Sequence, residues 1–212
     1  MVILYAAKIG NIVDPQIHPE IMDGLSDARK EKILRYKMEH SRKQGLAAGL
    51  LLKYVLGSRG LSMEDISYGQ NGKPQMQELY FNLSHSKDIV ICAVSDKNVG
   101  CDVEAIATVK EGIAERFFTE NENNYLKSFK AEEKMSEFFR LWTIKESYMK
   151  LTGEGMSLPL QDFDVNMSNP VKIYRNSELC PCHVKEYEAE EYKIAVCAEE
   201  KDFCEKIEYV ML

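Results

Sequence analysis

Apolar positions recur along this chain at two different spacings, one typical of helices and one typical of strands. Two stretches have apolar residues three and four positions apart, which predicts amphipathic helices. The first runs from Ser26 or Asp27 to Leu56, with one interruption allowed, and the second spans about residues 136–151. Glycines follow both stretches, and they predict where the helices end.

Short apolar runs predict strands at residues 1–7, 89–94, 99–106 and 193–198. The run at residues 1–7 is short and has no preceding positive region, so we expect a first strand rather than a signal peptide. No run approaches the ~18 uninterrupted apolar residues of a membrane span. We therefore expect no membrane partner.

The segment that follows the first helix resembles the one that follows the second. Ser62 and Asp65 in the first have counterparts in Ser157 and Asp162, and each half closes with an apolar strand that contains a cysteine. These matches predict a duplicated α+β unit of about 100 residues, joined near residues 95–99. Coincidence among common residue types is the alternative.

Composition narrows the class of protein. Of the 212 residues 45% are hydrophobic and 29% are charged, which excludes disordered and collagen-like chains. The 27 basic and 34 acidic residues give a net charge of -7, so we expect no nucleic-acid partner. Seven of the basic residues lie between Arg29 and Lys43, where there are only two acids.

The six cysteines form no CxxC pair. Without an export signal, we expect them to be reduced thiols in the cytoplasm.

The predicted strand at residues 99–106 carries two carboxylates. Because strand side chains alternate, Asp102 and Glu104 project from one face, while Cys101 and Val103 project from the other. Paired hard oxygen ligands describe a Mg²⁺ site in which water and phosphate complete the shell. The alternative is the solvated acidic face of an edge strand.

The second helix places Glu146 and Lys150 four residues apart, and therefore next to each other, away from the apolar stripe. This spacing is compatible with a catalytic acid–base pair. It is also the commonest surface ion pair, which is worth only about 0.3–0.5 kcal/mol.

Two polar segments precede the strand at residues 89–94. Neighbouring Ser84 and His85 diverge in an extended chain, so a Ser-His-acid hydrolase is disfavoured and a phosphate-binding role fits better. A half-buried polar turn is the alternative. Residues 71–74 form a turn with a lysine at its exit, but they lack the glycine spacing and the hydroxyl residue of a P-loop.

Six motifs together resemble one family. In chain order they are the basic start of the first helix, Asn71-Gly-Lys-Pro74, Phe81-Asn-Leu-Ser-His85, Gly100-Cys-Asp-Val-Glu104, Arg116-Phe-Phe118 and Trp142-x-x-Lys-Glu146-Ser-x-x-Lys150. Their order and spacing resemble the 4′-phosphopantetheinyl transferases, and in particular the double-length class typified by the enzyme that activates surfactin synthetase. The resemblance covers about residues 25–200.

The resemblance implies an α+β monomer of two similar subdomains related by a pseudo-twofold axis, each a small, mostly antiparallel sheet packed on a long helix. Residues 1–97 would bind the phosphates and adenosine of coenzyme A. Residues 98–212 would hold the metal site, the catalytic helix and the carrier-protein contact. The implied reaction transfers the 4′-phosphopantetheine arm of coenzyme A to a serine of an apo acyl or peptidyl carrier protein, depends on Mg²⁺ and releases adenosine 3′,5′-bisphosphate.

The resemblance also implies a role for each matching residue. Asp102, Glu104 and Glu146 would hold Mg²⁺, Glu146 would act as general base, and Lys150 would neutralise or protonate the leaving bisphosphate. Arg29 and Lys32 would meet phosphates of coenzyme A. The remaining expected coenzyme A contacts are Asn71, Gly72, Lys73 and Pro74 at the adenosine, Asn82, Ser84 and His85 at the 3′-phosphate segment, and Lys145 near the diphosphate. Gln44 stands where some relatives have a basic residue, so one phosphate contact would be either missing or taken over by Lys43 or Arg42.

Two other functions remain open from the residues alone. A carboxylate pair with a glutamate and a lysine also suits a metal-dependent phosphodiesterase, and a non-catalytic module could bind coenzyme A or carrier proteins. For the transferase, the residues do not tell which carrier is the partner. We expect the carrier to dock near residues 116–134, where Lys127, Lys130 and Lys134 could meet an acidic helix.

Overall fold

The predicted helices and strands are present in a computed structural model that describes residues 1–69, 72–189 and 191–212, with the backbone alone for Met156. The helices are α1 (Asp27–Leu34), α2 (Glu39–Gly57), α3 (Ile113–Phe117), α4 (Glu120–Lys127) and α5 (Ala131–Thr152). The strands are β1 (Ile3–Lys8), β2 (Ser67–Tyr68), β3 (Pro74–Gln75), β4 (Tyr80–Ser86), β5 (Ile89–Ser95), β6 (Val99–Ala105), β7 (Phe163–Asn166), β8 (Lys172–Arg175), β9 (Glu178–Leu179), β10 (His183–Ala189), β11 (Tyr192–Ala198) and β12 (Glu208–Tyr209). Short 3-10 turns follow α2 and α5.

The first predicted helix is interrupted between α1 and α2. At this break the Arg42 guanidinium donates hydrogen bonds to the carbonyls of Tyr36 and Lys37, at 3.0 and 2.9 Å. The same guanidinium pairs with the buried carboxylate of Asp14. These bonds satisfy carbonyls that the break leaves without helical partners.

Two sheets share one strand order. β1, β5 and β4 are antiparallel neighbours in the first, and β6, β11 and β10 in the second. The first sheet packs on α2 and the second on α5. This arrangement confirms the predicted α+β class of small antiparallel sheets on long helices. The short β12 adds to β1 in parallel, so residues near the C-terminus complete the first sheet.

A third apolar cluster lies between the two sheets. Leu4 and Ile91 of the first sheet meet Val103 and Val196 of the second, and all four are fully buried. Because each such side chain contributes about 1.5–3 kcal/mol on burial, this cluster is a substantial part of the core. The two halves are therefore held together by a shared hydrophobic layer.

The contact between α5 and β6 requires a glycine. A Cβ atom at Gly100 would lie 2.1 Å from the carbonyl oxygen of Ser147 and 2.3 Å from the nitrogen of Leu151. The helix backbone thus rests directly on the strand, and Lys150 lies beside β6 for that reason. None of the helices in the described part of the chain has the length and apolar character needed to cross a bilayer.

Candidate active site

The edge strands β4 and β6 lie side by side and are joined by side chains. The Asn82 side-chain oxygen accepts a hydrogen bond from the backbone N–H of Cys101 at 2.9 Å. The Ser86 hydroxyl accepts one from the N–H of Ala105 at 3.1 Å. Polar residues of β4 therefore fix the position of the strand that carries the predicted carboxylates.

Asp102 lies at the centre of this junction and is 3% exposed. Its Oδ1 accepts hydrogen bonds from the Ser84 hydroxyl at 2.7 Å and from the Lys150 ammonium at 2.6 Å. The Lys150 ammonium also donates to the Ser84 hydroxyl at 2.9 Å. The buried Oδ2 of Asp102 has no hydrogen-bond partner among the described residues. The structure thus brings together three predicted site residues, one from each of β4, β6 and α5.

Glu104 and Glu146 are half-buried near Asp102. The Ser86 hydroxyl donates to Glu104 Oε2 at 2.8 Å, whereas Glu146 has no hydrogen bond within the described part of the chain. Burial first, and then the charge of Asp102, raises the pKa of both glutamates. Burial alone would lower the pKa of Lys150, but the neighbouring Asp102 carboxylate outweighs it and the pKa is raised. An additional cation would therefore stabilise the ionised carboxylates of this cluster.

The three predicted metal ligands do not form a closed metal site. Among residues 1–69, 72–189 and 191–212, no group of three histidine, cysteine or acidic side chains is arranged to hold an ion. The unpartnered, buried Asp102 Oδ2 and the raised pKa values of the two glutamates nevertheless fit a cation in chemical terms. Water and phosphate oxygens would have to complete its shell.

A basic cavity of about 140 Å³ lies beside this cluster. Its lining includes Arg29, Lys32, Pro74, Asn82 and His85. The Arg29 guanidinium is 9% exposed, donates to the Gly45 carbonyl at 3.4 Å, and has an Nε without a partner among the described residues. The cavity therefore offers a buried cation whose hydrogen bonds are incomplete.

The cations around this cavity are electrostatically unsatisfied. Burial lowers the pKa of Arg29, and burial together with the Arg29 charge lowers the pKa of Lys32. Burial, followed by Lys150 and Arg29, lowers the pKa of His85. A neutral His85 can still donate one hydrogen bond. An anion in the cavity would relieve all three groups.

Lys73 connects the turn at residues 72–74 to the end of α5. Its ammonium donates to the backbone carbonyls of Lys150 at 2.6 Å, Val99 at 3.3 Å and Leu151 at 3.4 Å. Gly72 has a φ of +71°, which suits a glycine in this turn. Asn71, also predicted at the adenosine, lies outside the described residues. The position of Lys73 gives it a structural role that the sequence did not suggest.

Lys145 requires a correction, because the structure does not bring it to the cleft. Its side chain is fully buried inside the second half, where the ammonium pairs with Glu122 and donates to the Phe163 carbonyl at 2.8 Å. Glu122 also accepts from the N–H of Val165 at 2.8 Å. Lys145 therefore belongs to a buried ion pair and not to a diphosphate-binding surface.

The basic segment between residues 29 and 43 is less concentrated at the cleft than its sequence suggests. Exposed or half-exposed pairs take up three of its cations, namely Lys30 with Asp27, Arg35 with Glu31 and Lys43 with Glu39. Arg42 is occupied by Asp14, and Gln44 donates to the Lys87 carbonyl at 3.0 Å. Of this segment, Arg29 and Lys32 are the cations that line the basic cavity.

Two residues of structural importance were missed from the sequence. Ser86 lies two positions after Ser84 on β4 and contacts the neighbouring carboxylate in the same way, so strand alternation could have found it. Glu122 closes a capping box with Thr119 at the start of α4. The Thr-x-x-Glu spacing is its only sequence signal.

Comparisons with known proteins agree on one family. The family model described as the 4′-phosphopantetheinyl transferase superfamily matches residues 98–197. A 4′-phosphopantetheinyl transferase of Bacillus subtilis is 34% identical over 89% of this chain and 88% of its own length. The transferase gsp of Aneurinibacillus migulanus is 35% identical, with 93% and 86% covered, and Sfp of Bacillus subtilis strain 168 is 32% identical, with 98% and 96% covered.

A solved holo-(acyl-carrier-protein) synthase of Bacillus anthracis covers 48% of this chain and 93% of its own, at 20% identity and a TM-score of 0.42.

Proposed function

This chain belongs to the 4′-phosphopantetheinyl transferase superfamily, and we propose that the cleft between β4, β6 and α5 is its active site. The enzyme transfers the 4′-phosphopantetheine arm of coenzyme A to a serine of an apo acyl or peptidyl carrier protein. The observation that carries the assignment of the site is the contact of Lys150 with both Ser84 and Asp102, because it joins both halves of the chain at one charged point.

We assign the basic cavity to phosphates of coenzyme A. Arg29 is buried, has an unpartnered Nε and has a lowered pKa. A phosphate oxygen would accept the missing hydrogen bond from Nε and stabilise the charged guanidinium. Lys32 and His85 line the same cavity and would bind the remaining oxygens. Pro74 lies on the wall of this cavity, so the turn at residues 72–74 would contact the adjoining adenosine.

We propose that Asp102, Glu104 and Glu146 bind Mg²⁺ together with the diphosphate of coenzyme A. The support is the buried, unpartnered Asp102 Oδ2, together with the burial and the Asp102 charge that raise the pKa of both glutamates. When bound, the cation would offset the negative charge that develops on the phosphate groups during transfer. Ser86 would hold Glu104 in position through the 2.8 Å hydrogen bond.

Proton transfer is assigned to Glu146 and Lys150. Glu146 has a raised pKa and no hydrogen-bond partner among the described residues, so a carboxylate oxygen that the cation does not use can accept the serine proton. The serine oxygen then forms a bond to the β-phosphorus, and the bond from that phosphorus to the bridging oxygen breaks. Lys150, whose pKa is raised by Asp102, would neutralise the oxygen of the departing adenosine 3′,5′-bisphosphate.

The carrier would approach from residues 116–134, as expected from the sequence. This region contains the end of α3, the whole of α4 and the start of α5, and Lys127, Lys130 and Lys134 are exposed there. An acidic carrier helix would be complementary to these three lysines. We also propose a monomeric, cytoplasmic enzyme, because one chain supplies both walls of the cleft and all six cysteines are free thiols.

A carrier-loading assay tests this function. The protein is incubated with coenzyme A, Mg²⁺ and a panel of apo carrier proteins, and each carrier is weighed by mass spectrometry. We expect a mass gain of one phosphopantetheine group on at least one carrier. No gain on any carrier would refute the transferase, and hydrolysis of a phosphodiester without carrier loading would instead support the phosphodiesterase.

Two variants connect the assay to the proposed cleft. Arg29→Ala removes the buried cation of the basic cavity, and we expect it to raise the KM for coenzyme A. Arg35→Ala is the matched control, because it removes an exposed basic residue of the same segment that pairs with Glu31 on the surface. Equal effects of the two variants would argue against a phosphate site at Arg29.

A further inference from the structure

Three of the six cysteines lie together beside α5, and the transferase reaction uses none of them. Cys180, Cys182 and Cys197 pack against the same hydrophobic cluster of the second half. Val184 of β10 pairs with Cys197 of β11. Cys182 lies directly before β10 and two residues from Val184, so the start of this strand brings it next to β11 near Cys197. Each of the two thiols shifts the pKa of the other, so their sulfurs lie near each other.

The two thiols of this pair differ in their surroundings. Cys197 is fully buried, and burial raises its pKa. Cys182 is half-buried and lines a cavity of about 260 Å³, which gives a small molecule access to its sulfur. The hydrogen bond from Cys197 lowers the pKa of Cys182, and this effect outweighs that of burial and of Glu199. Cys182 is therefore the more accessible and the more nucleophilic of the two.

Cys180 is a poorer partner for Cys182. Its sulfur is in contact with the Tyr148 hydroxyl at 3.2 Å, and it is 9% exposed. Only Pro181 separates the two cysteines, so a disulfide between them would close a very small ring and distort the geometry that disulfides prefer. Cys197 lies on a different strand, so a disulfide between it and Cys182 would not close such a small ring.

We propose that Cys182 and Cys197 form a redox-active pair that hydrogen peroxide converts into a disulfide. The Cys182 thiolate attacks one peroxide oxygen, the O–O bond breaks, and Cys182 becomes a sulfenic acid while hydroxide leaves and is protonated to water. The Cys197 sulfur then attacks the Cys182 sulfur, an S–S bond forms, and the sulfenic oxygen leaves as a second water. The two thiols together supply the two electrons, and a dithiol reverses the change by exchange.

The pair lies close to the proposed active site without containing any of its residues. Cys197 pairs with Gly100 across the sheet. The cavity at Cys182 is also lined by Lys73, and by Leu151 and Thr152 at the end of α5. The proposal does not depend on the transferase function, and its test requires no activity measurement.

The test uses the full chain, reduced and then treated with hydrogen peroxide. Remaining thiols are alkylated after denaturation, and peptides are mapped by mass spectrometry. We expect a monomer that has lost two hydrogens, with one cross-link between Cys182 and Cys197 that dithiothreitol reverses. A cross-link between Cys180 and Cys182, links only between chains, or an unreacted Cys182 would overturn the proposal.

Three variants sharpen the test. Cys197→Ala should leave Cys182 as a sulfenic acid that dimedone traps, and Cys182→Ala should abolish the disulfide. Cys204→Ala is the matched control, since Cys204 is also half-buried but lies against Tyr187 and Leu4, and its loss should leave the disulfide unchanged. Circular dichroism establishes that each variant is folded, and a disulfide that still forms in folded Cys182→Ala would refute the assignment.

Discussion

At the scale of single residues, Lys150 is fixed by contacts of both its side chain and its backbone. Its ammonium binds Ser84 and Asp102, while its own backbone carbonyl accepts a hydrogen bond from Lys73. The side chain is thus held from two sides before any substrate is present. Such preorganisation reduces the cost of aligning charged groups during the reaction.

Glu146 can be tested as the general base by a change that preserves its shape. Glu146→Gln should lower kcat by about 100-fold or more, because a positioned base contributes roughly 10²–10⁴-fold. The affinity for coenzyme A, measured by calorimetry without a carrier, should change far less. Equal loss of affinity and turnover would indicate a binding role, and an unchanged kcat would exclude Glu146 as base.

The dependence of the rate on pH should reveal the ionisation of the same side chain, Glu146. Glu146 must be deprotonated to accept the serine proton, and in the free enzyme, which kcat/KM reports on, its pKa lies above the ordinary value of 4.5. We therefore expect kcat/KM to rise with pH over a range higher than that of an exposed glutamate. In Glu146→Gln the residual rate should lack this rise, and a profile that keeps it would assign the titration to another group.

Lys145 illustrates what residue-level reasoning could and could not predict. The pair Glu146 and Lys150 follows from helical spacing, and both side chains lie at the cleft. Lys145 is one position from Glu146, so it projects about 100° away around the helix and enters the core. A lysine is rarely buried without a partner, and its partner Glu122 is 23 residues distant in the chain. Nothing local to Lys145 indicates that pairing.

At the scale of elements, the position of α5 depends on its close contact with β6. Gly100 leaves room for the helix backbone, and Lys73 binds the carbonyls of its last turn. The strand fixes Asp102 and the helix fixes Lys150, so the distance between these side chains is set by how the two elements pack. The geometry of the site is therefore sensitive to the size of the side chain at position 100.

Gly100→Ala should disturb both stability and activity. The added Cβ would meet the Ser147 oxygen and the Leu151 nitrogen well inside contact distance, so α5 must move away from β6. Overpacking of this kind costs about 1–3 kcal/mol, measurable by urea unfolding. We also expect kcat to fall, because Lys150 moves with the helix.

Gly57→Ala is the control for this substitution. Gly57 ends α2 in open space, with nothing within 4 Å of an added Cβ. Its replacement should leave both stability and kcat nearly unchanged. A similar loss in the two variants would mean that the close approach at Gly100 is not the cause.

Elements were more predictable than the contacts between them. The strand β6 and the helix α5 follow from local apolar spacing, and the alternation of Asp102 and Glu104 with Cys101 and Val103 follows from the two-residue period of a strand. The sequence did not indicate that Arg42 crosses the break between α1 and α2 to reach Asp14. That pair joins distant segments, and such pairings have no local periodicity.

At the scale of the whole molecule, two helix-backed sheets share a third cluster of buried side chains. Neither sheet can expose its inner face without losing the cluster that contains Leu4, Ile91, Val103 and Val196. We therefore expect the two halves to unfold together. The single tryptophan, Trp142, lies in the second half and reports on that half alone.

Leu51→Ala tests this coupling from the first half. Leu51 is fully buried against the first sheet, so the substitution should cost about 2–5 kcal/mol. The unfolding midpoint followed by Trp142 fluorescence should fall together with the midpoint followed by circular dichroism. Leu141→Ala, in the second half, should give the same coincidence, whereas an unshifted Trp142 transition in Leu51→Ala would show independent halves.

The net charge of -7 is also a property of the whole molecule, and it bears on the binding of a polyanion. Screening over roughly 8 Å limits the reach of surface charges at physiological salt. Binding of a polyanion then depends on cations inside the cleft, and Arg29 and Lys32 supply them while most neighbouring basic residues are paired elsewhere. The total charge follows from the sequence, whereas the distribution of the charged residues between the cleft and the surface is known only from the fold.

The pairing of β12 with β1 has a consequence for the order of events during synthesis. β1 and β5 are complete once Ser95 has been made, yet Tyr5 and Ala6 find their second neighbours only at Glu208 and Tyr209. At translation rates of about 5–20 residues per second, the interval is on the order of ten seconds. During that time β1 is an unpaired edge strand of the nascent chain. A ribosome-associated chaperone that covers it would prevent pairing with strands of other chains.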